Sequence, residues 1–139
     1  MPKLREILLV DDSDADNYFH RRVINKMGCA EAITEKPHGQ AAIDYLTTAN
    51  DAGVYPQPEL VFLDINMPVM NGWDFLVAYQ NLREEQKAGV VVVMLTTSFD
   101  EQDRDRALAF DVVSDHLGKP LRPESLKQVL EAHFPDAIP

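Results

Sequence analysis

Leu60-Val61-Phe62-Leu63-Asp64-Ile65-Asn66-Met67-Pro68-Val69-Met70-Asn71-Gly72 decides the fold. Four apolar residues run straight into one carboxylate, and a Met-Pro pair and an Asn-Gly turn follow. A short apolar run bounded by turn residues reads as a buried strand. Pro68 and Gly72 stop it and reverse the chain. Asp64 is thereby placed where a buried strand meets the surface. A carboxylate is seldom buried there without a partner.

The same grammar recurs on both sides. Ile7-Leu8-Leu9-Val10 ends in Asp11-Asp12. Ser13 is a helix N-cap, with Asp14 and Asp16 in the first turn, and the spacing of Phe19, Val23, Ile24 and Met27 predicts a helix to about Met27. A short strand is expected over 32–36, a loop at Pro37-His38-Gly39, a helix to about Ala49 and an extended loop over 50–59. Asn71 caps a third helix whose polar end runs out at Gly89. Val90-Val91-Val92-Val93-Met94-Leu95 shows no alternation, the mark of a strand covered on both faces, and ends in Thr96-Thr97-Ser98. A charged helix over 100–110, a strand over 112–117, Gly118-Lys119-Pro120 and a last helix from Pro123 to near His133 complete the order. Five strand-helix units with short connections predict a doubly wound parallel α/β sheet with helices on both faces.

The chain has 139 residues, 45% apolar and 26% charged, as expected of one domain with its own core. A formal net charge of −10 disfavours nucleic acid and suits cations or a basic protein face. A single cysteine, Cys29, leaves no internal disulfide and fits a reducing compartment. No apolar run approaches the roughly 18 residues of a membrane span, and the N-terminal run is too short for a signal peptide. A cytoplasmic protein is expected, with neither membrane nor nucleic acid as partner.

In a parallel sheet all strand carboxyl ends share one edge, where ligands bind. Asp11-Asp12, Asp64, Thr96 and Lys119 close four of the five strands there. Two carboxylates at about 4 Å repel by roughly 4 kcal/mol at an effective dielectric of 20. A proton or a cation must relieve that repulsion. Oxygen ligands alone select a hard ion, Mg²⁺ or Mn²⁺. With the Lys119 ammonium and the Thr96 hydroxyl opposite, the set forms a cradle for a tetrahedral dianion, and Asp64 is its nucleophile.

These motifs together resemble the receiver domain of two-component response regulators. They are Leu8-Leu9-Val10-Asp11-Asp12, Leu63-Asp64 through Asn71-Gly72, Leu95-Thr96-Thr97-Ser98 and Lys119-Pro120-Leu121. The resemblance covers about 5–133 of a single domain spanning 1–139, with no output domain expected. It implies a flavodoxin-like (βα)5 sheet in strand order 2-1-3-4-5. It also implies that Asp64 accepts a phosphoryl group from a sensor histidine kinase. Mg²⁺ would be held by Asp12, Asp64 and the Asn66 backbone carbonyl, with Asp11 acting through water. Thr96 and Lys119 would bind the phosphoryl oxygens. Asn66 and Ser98 would tune the phosphate's lifetime.

The implied role is a phosphoacceptor switch rather than a turnover enzyme. Its output would be relay to a histidine phosphotransfer protein, or binding of a target or a second copy through the fourth helix, fifth strand and fifth helix. The wording around Asp64 and the longer 50–59 loop look like stand-alone receivers that serve phytochrome-type and other hybrid kinases. Two other readings stay open. One is a phosphohydrolase, which needs a general acid where Asn66 stands. The other is a receiver used only for binding. The sequence departs from the family pattern at His116, which replaces the switch aromatic, and at Asp111-Val112-Val113, which replaces a small-residue turn. Gly118 adds flexibility before Lys119. His20, His38 and His133 are read as surface residues.

Overall fold

The structure is a computed structural model that describes residues 3–65, 67, 70–95 and 101–138. Five strands form one parallel sheet in the order β2-β1-β3-β4-β5, as expected. They are β1 (Ile7–Val10), β2 (Ile33–Lys36), β3 (Leu60–Asp64), β4 (Val90–Leu95) and β5 (Val113–Gly118). The helices are α1 (Asp14–Met27), α2 (Gly39–Leu46), α3 (Gly72–Gln80), α4 (Glu101–Leu108) and α5 (Pro123–His133).

The sheet has two covered faces because successive strand residues point opposite ways. Leu8, Val10, Val61, Leu63 and Val91 point to one face, where α2, α3 and α4 supply Leu46, Phe75, Leu76, Tyr79 and Ala107. Ile7, Leu9, Leu60, Phe62 and Val92 point to the other, against Ile24 of α1 and Leu126, Val129 and Leu130 of α5. Two apolar faces explain the unbroken apolar runs of β1, β3 and β4.

Several boundaries differ from expectation, each for a local reason. The second helix stops at Leu46 rather than near Ala49. There the Thr47 hydroxyl donates to the Ile43 carbonyl at 2.8 Å and the Thr48 hydroxyl to that of Asp44 at 2.6 Å, satisfying orphan acceptors of the last turn. The third helix does not run to Gly89. The Asn81 amide donates back to the Val77 carbonyl at 3.0 Å, and a separate 3₁₀ turn, Glu84–Gln86, is capped by the Gln86 side chain accepting the Arg83 N–H at 3.1 Å. Tyr79 then ties this segment to the core. Its hydroxyl accepts the Ala88 N–H at 2.8 Å and donates to the Ala88 carbonyl at 3.3 Å.

An irregularity in β5 directly follows Asp111-Val112-Val113. Val91 pairs with Val113, but Val92 pairs with Asp115, so Ser114 is an extra residue in β5. Such a bulge reverses the alternation. Val113 therefore packs on the α2–α4 face and Leu117 on the α1–α5 face, although they are four residues apart.

Candidate functional site

The carboxyl edge of the sheet gathers the expected acids. Asp11 follows β1 and Asp64 ends β3, and both are buried, at 4% and 3% exposure, whereas Asp12 is exposed. One carboxylate oxygen from each of Asp11, Asp12 and Asp64 lies within 4.8 Å of the other two. Three hard oxygen donors and no sulfur or imidazole fit Mg²⁺ or Mn²⁺.

Local chemistry holds these acids in place. The Ser13 N–H donates to Asp11 Oδ1 at 2.9 Å, and the Asn17 side-chain amide donates to the Asp11 carbonyl at 3.0 Å. Ser13 also caps α1, accepting the Asp16 N–H at 3.2 Å. The positive end of α1 thus faces the acids, as a helix dipole favours. The Gly72 N–H donates to the Ile65 carbonyl at 2.9 Å and ties the start of α3 to the end of β3. A Cβ on Gly72 would stand 2.7 Å from the Asp64 carbonyl, so only glycine lets α3 start this close to β3. Asn71 caps α3 by accepting the Asp74 N–H at 2.9 Å.

Lys119 enters from the end of β5. Its Nζ donates to Asp11 Oδ2 at 2.7 Å and to Asp16 Oδ2 at 2.9 Å, and pairs with Asp64 Oδ1 at 3.3 Å. Burial by itself would lower the ammonium's pKa. The hydrogen bonds to Asp11 and Asp16 and the charges of Asp11 and Asp64 outweigh it and hold the group above its ordinary value. Lys119 is therefore a fixed positive charge. Gly118 is paired within β5 opposite Leu95, and a Cβ there would meet nothing within 4 Å among the described residues.

The sequence reading missed three neighbours of this site. Asp16 appeared only as a helix-dipole residue, yet it is a direct partner of Lys119. The sequence reading gives Asn17 no role, yet it is buried, and its side-chain amide donates to the Asp11 carbonyl. His20, read as a surface residue, is 3% exposed. Burial holds its imidazole below the ordinary value, and the Asp11 charge only partly opposes this. The signal was available in the periodicity: residues 17 and 20 lie on one stripe of α1 with the core residue Ile24. His38 is also no free surface group. Its Nδ1 accepts the Ala41 N–H at 3.2 Å and so caps α2.

His116 lies opposite Val93, two residues beyond the Val91–Val113 pair, so it faces the same layer as Val113. It is partly buried, and its backbone N–H donates to Asp115 Oδ1 at 2.8 Å. Trp73, at the head of α3, is partly buried, with the Arg106 guanidinium 4.2 Å from its ring centroid. That contact joins the start of α3 to α4. Asn66, Thr96 and Ser98 lie outside the described residues. Elsewhere, a groove of about 590 Å³ runs beside α1, lined by Tyr18, Phe19, Arg22, Val23, Lys26, Met27 and Pro123. It holds no carboxylate and is separate from the acid cluster. No helix among the described residues is long and apolar enough to cross a membrane.

Comparison with known proteins agrees with this geometry. Residues 7–131 match the family described as response regulator receiver domain. The probable methanogenesis regulatory protein FilR2 of Methanothrix harundinacea is 35% identical over 125 residues, covering 90% of this chain and 78% of that protein. The response regulator Rcp1 of Synechocystis is 31% identical over 97 residues, 70% of this chain and 65% of that protein. A two-component response regulator from Cytophaga hutchinsonii has a crystal structure with a TM-score of 0.81 and 30% identity, over 96% of this chain and 99% of that one.

Proposed function

The chain belongs to the response regulator receiver domain family, and we propose that Asp64 is its phosphoacceptor, loaded from a sensor histidine kinase in a reaction that needs Mg²⁺ or Mn²⁺. The observation that carries this reading is the meeting of Asp11, Asp64 and Lys119 within 3.3 Å contacts at one sheet edge. A buried carboxylate beside a fixed ammonium and two further acids has the charge pattern of a phosphoryl acceptor.

In the proposed step an Asp64 carboxylate oxygen attacks phosphorus. The bond from phosphorus to the donor breaks, and its electron pair leaves with the donor. The product is an acyl phosphate on Asp64. Asp11, Asp12, Asp64 and the Asn66 carbonyl would hold the cation, which supplies charge neutralisation for the phosphoryl oxygens. Lys119 Nζ binds one phosphoryl oxygen and the Thr96 hydroxyl another. Water later attacks phosphorus, inorganic phosphate leaves, and the carboxylate returns. By the family resemblance, Asn66 and Ser98 would tune the rate of that hydrolysis.

The donor protein approaches across the head of α1 and the chain that leads into α5. The neighbouring groove exposes Tyr18 and Phe19 at 53% and 45%, beside Arg22 and Lys26. Output runs from Thr96 through His116 to the face of α4, β5 and α5. That face binds a target or a second copy; the alternative output is relay of the phosphate from Asp64 to a histidine phosphotransfer protein. A kinase of the phytochrome-type or another hybrid class is the partner that the wording around Asp64 favours.

The test is labelling by a small acyl phosphate with Mg²⁺. One acid-stable, base-labile phosphate per chain is expected, absent from Asp64→Asn and from the chelated protein. Undiminished labelling of Asp64→Asn would remove Asp64 from the role. Turnover of a phosphate monoester would instead indicate a phosphohydrolase.

A further inference from the structure

We infer that Asp16 is a positioning residue that holds Lys119 in the resting site and competes with the incoming phosphoryl group for it. The inference rests on the phosphoacceptor reading of Asp64. An ammonium has three N–H donors. In this site Lys119 Nζ meets three carboxylates: Asp11 at 2.7 Å, Asp16 at 2.9 Å and Asp64 at 3.3 Å. Two of the three donors are therefore taken by Asp11 and Asp16 before a phosphoryl oxygen arrives, and a phosphoryl group that draws on more than the remaining donor must displace one carboxylate.

The three carboxylates are not equally free to leave. Asp11 is buried and anchored by the Ser13 N–H. Asp64 is buried and is itself the acceptor, so the phosphoryl group is delivered beside Lys119 in any case. The Asp16 side chain is 44% exposed, so water most readily replaces its lost ammonium contact. Its carboxylate projects from the first turn of α1, outside the set of Asp11, Asp12 and Asp64. It can turn away without disturbing cation binding. Asp16 thus keeps Lys119 in position between events and sets a modest cost on its transfer.

Fluoroberyllate, which mimics the phosphoryl group on a carboxylate, with Mg²⁺, is the probe, read by calorimetry. Asp16→Asn should tighten its binding about three- to tenfold, since a partly exposed ion pair is lost. Mg²⁺ affinity without fluoroberyllate should change by less than about twofold. Asp16→Glu should restore most of the wild-type behaviour. In a Lys119→Gln background the Asp16→Asn gain should disappear. A gain that survives there would assign the effect to bulk charge repulsion and overturn the inference, as would unchanged affinity in Asp16→Asn. The ¹⁵N ammonium signal of Lys119 provides a readout independent of phosphate chemistry and should move in Asp16→Asn. If fluoroberyllate fails to bind the wild-type protein, the phosphoacceptor reading falls. An unmoved ammonium signal would separately refute the hold on Lys119.

Discussion

Replacing Asp64 by asparagine should stabilise the cation-free protein, and the site geometry gives the size. Asp64 and Asp11 have oxygens within 4.8 Å, a repulsion of about 3.5 kcal/mol at an effective dielectric of 20. Asp12 is exposed and adds only about 1 kcal/mol at the dielectric of water. Against these stands the attraction of Lys119 Nζ at 3.3 Å, about 5 kcal/mol on the same scale. The Coulomb terms nearly cancel. What remains is the desolvation of a carboxylate that is 3% exposed, several kcal/mol by the usual effective penalty. The amide that replaces it is also buried, and its own imperfectly paired polar groups cost about 1–3 kcal/mol. The net gain is about 2 kcal/mol, or roughly 6 °C in Tm for a domain of this size. Thermal melts in chelator should show it. Mg²⁺ should narrow or reverse the difference, because it binds the wild-type carboxylate well and the neutral amide of the variant poorly. A variant that melts at or below the wild type in chelator would refute this balance of charges. So would a gain that Mg²⁺ leaves untouched.

Further outcomes follow from contacts of Tyr79, His20 and Gly39. Tyr79→Phe should cost about 2 kcal/mol in urea unfolding, because it leaves both the N–H and the carbonyl of Ala88 without their partner. The same burial pushes the Tyr79 phenol up to about 12, so its absorbance should stay unchanged below pH 11 in the folded protein. His20 is held below the ordinary imidazole value by burial, so the unfolded chain binds a proton that the native chain does not. Its contribution is therefore present above about pH 6.5 and is lost as the pH falls below it. His20→Gln should flatten the stability difference between pH 7.5 and pH 5.5. Gly39→Ala should cost about 1–3 kcal/mol, since its Cβ would stand 2.7 Å from Met70 Cγ. Met70→Ala in the same chain should recover only part of that loss in a double-mutant cycle, because the Met70 carbonyl also stands 2.8 Å from that Cβ, and unchanged stability of Gly39→Ala would refute the clash.

Much of the fold was legible because each strand announces both its faces and its end. Unbroken apolar runs such as 60–63 and 90–95 fit only a sheet covered on both sides, and Asp11, Asp64 and Lys119 stand where the strands stop. The parallel order then sends all of them to one edge. Periodicity also located α1 and α5, whose inner residues Ile24, Leu126 and Val129 are buried as the stripe requires. Helix ends were less legible. Thr47, Thr48 and Asn81 end their helices through side-chain hydrogen bonds that compete with the backbone, and such competition is settled by geometry rather than by residue type.

The sequence by itself determined the architecture and which acids share an edge, because strand polarity and residue period are local properties of the chain. Only the tertiary structure decided who touches Lys119. Asp16 and Lys119 are 103 residues apart and Asp11 and Lys119 108 apart, and nothing local distinguishes Asp16 from Asp14. The bulge at Ser114 was likewise a matter of tertiary structure. It turns Leu117 to the opposite face from Val113, where the period of the sequence alone would have kept them together. Both outcomes have one physical cause. A side chain's partner depends on how packed elements register in space, and an exposed carboxylate or a single inserted residue carries no mark of that register until the sheet and helices close on each other.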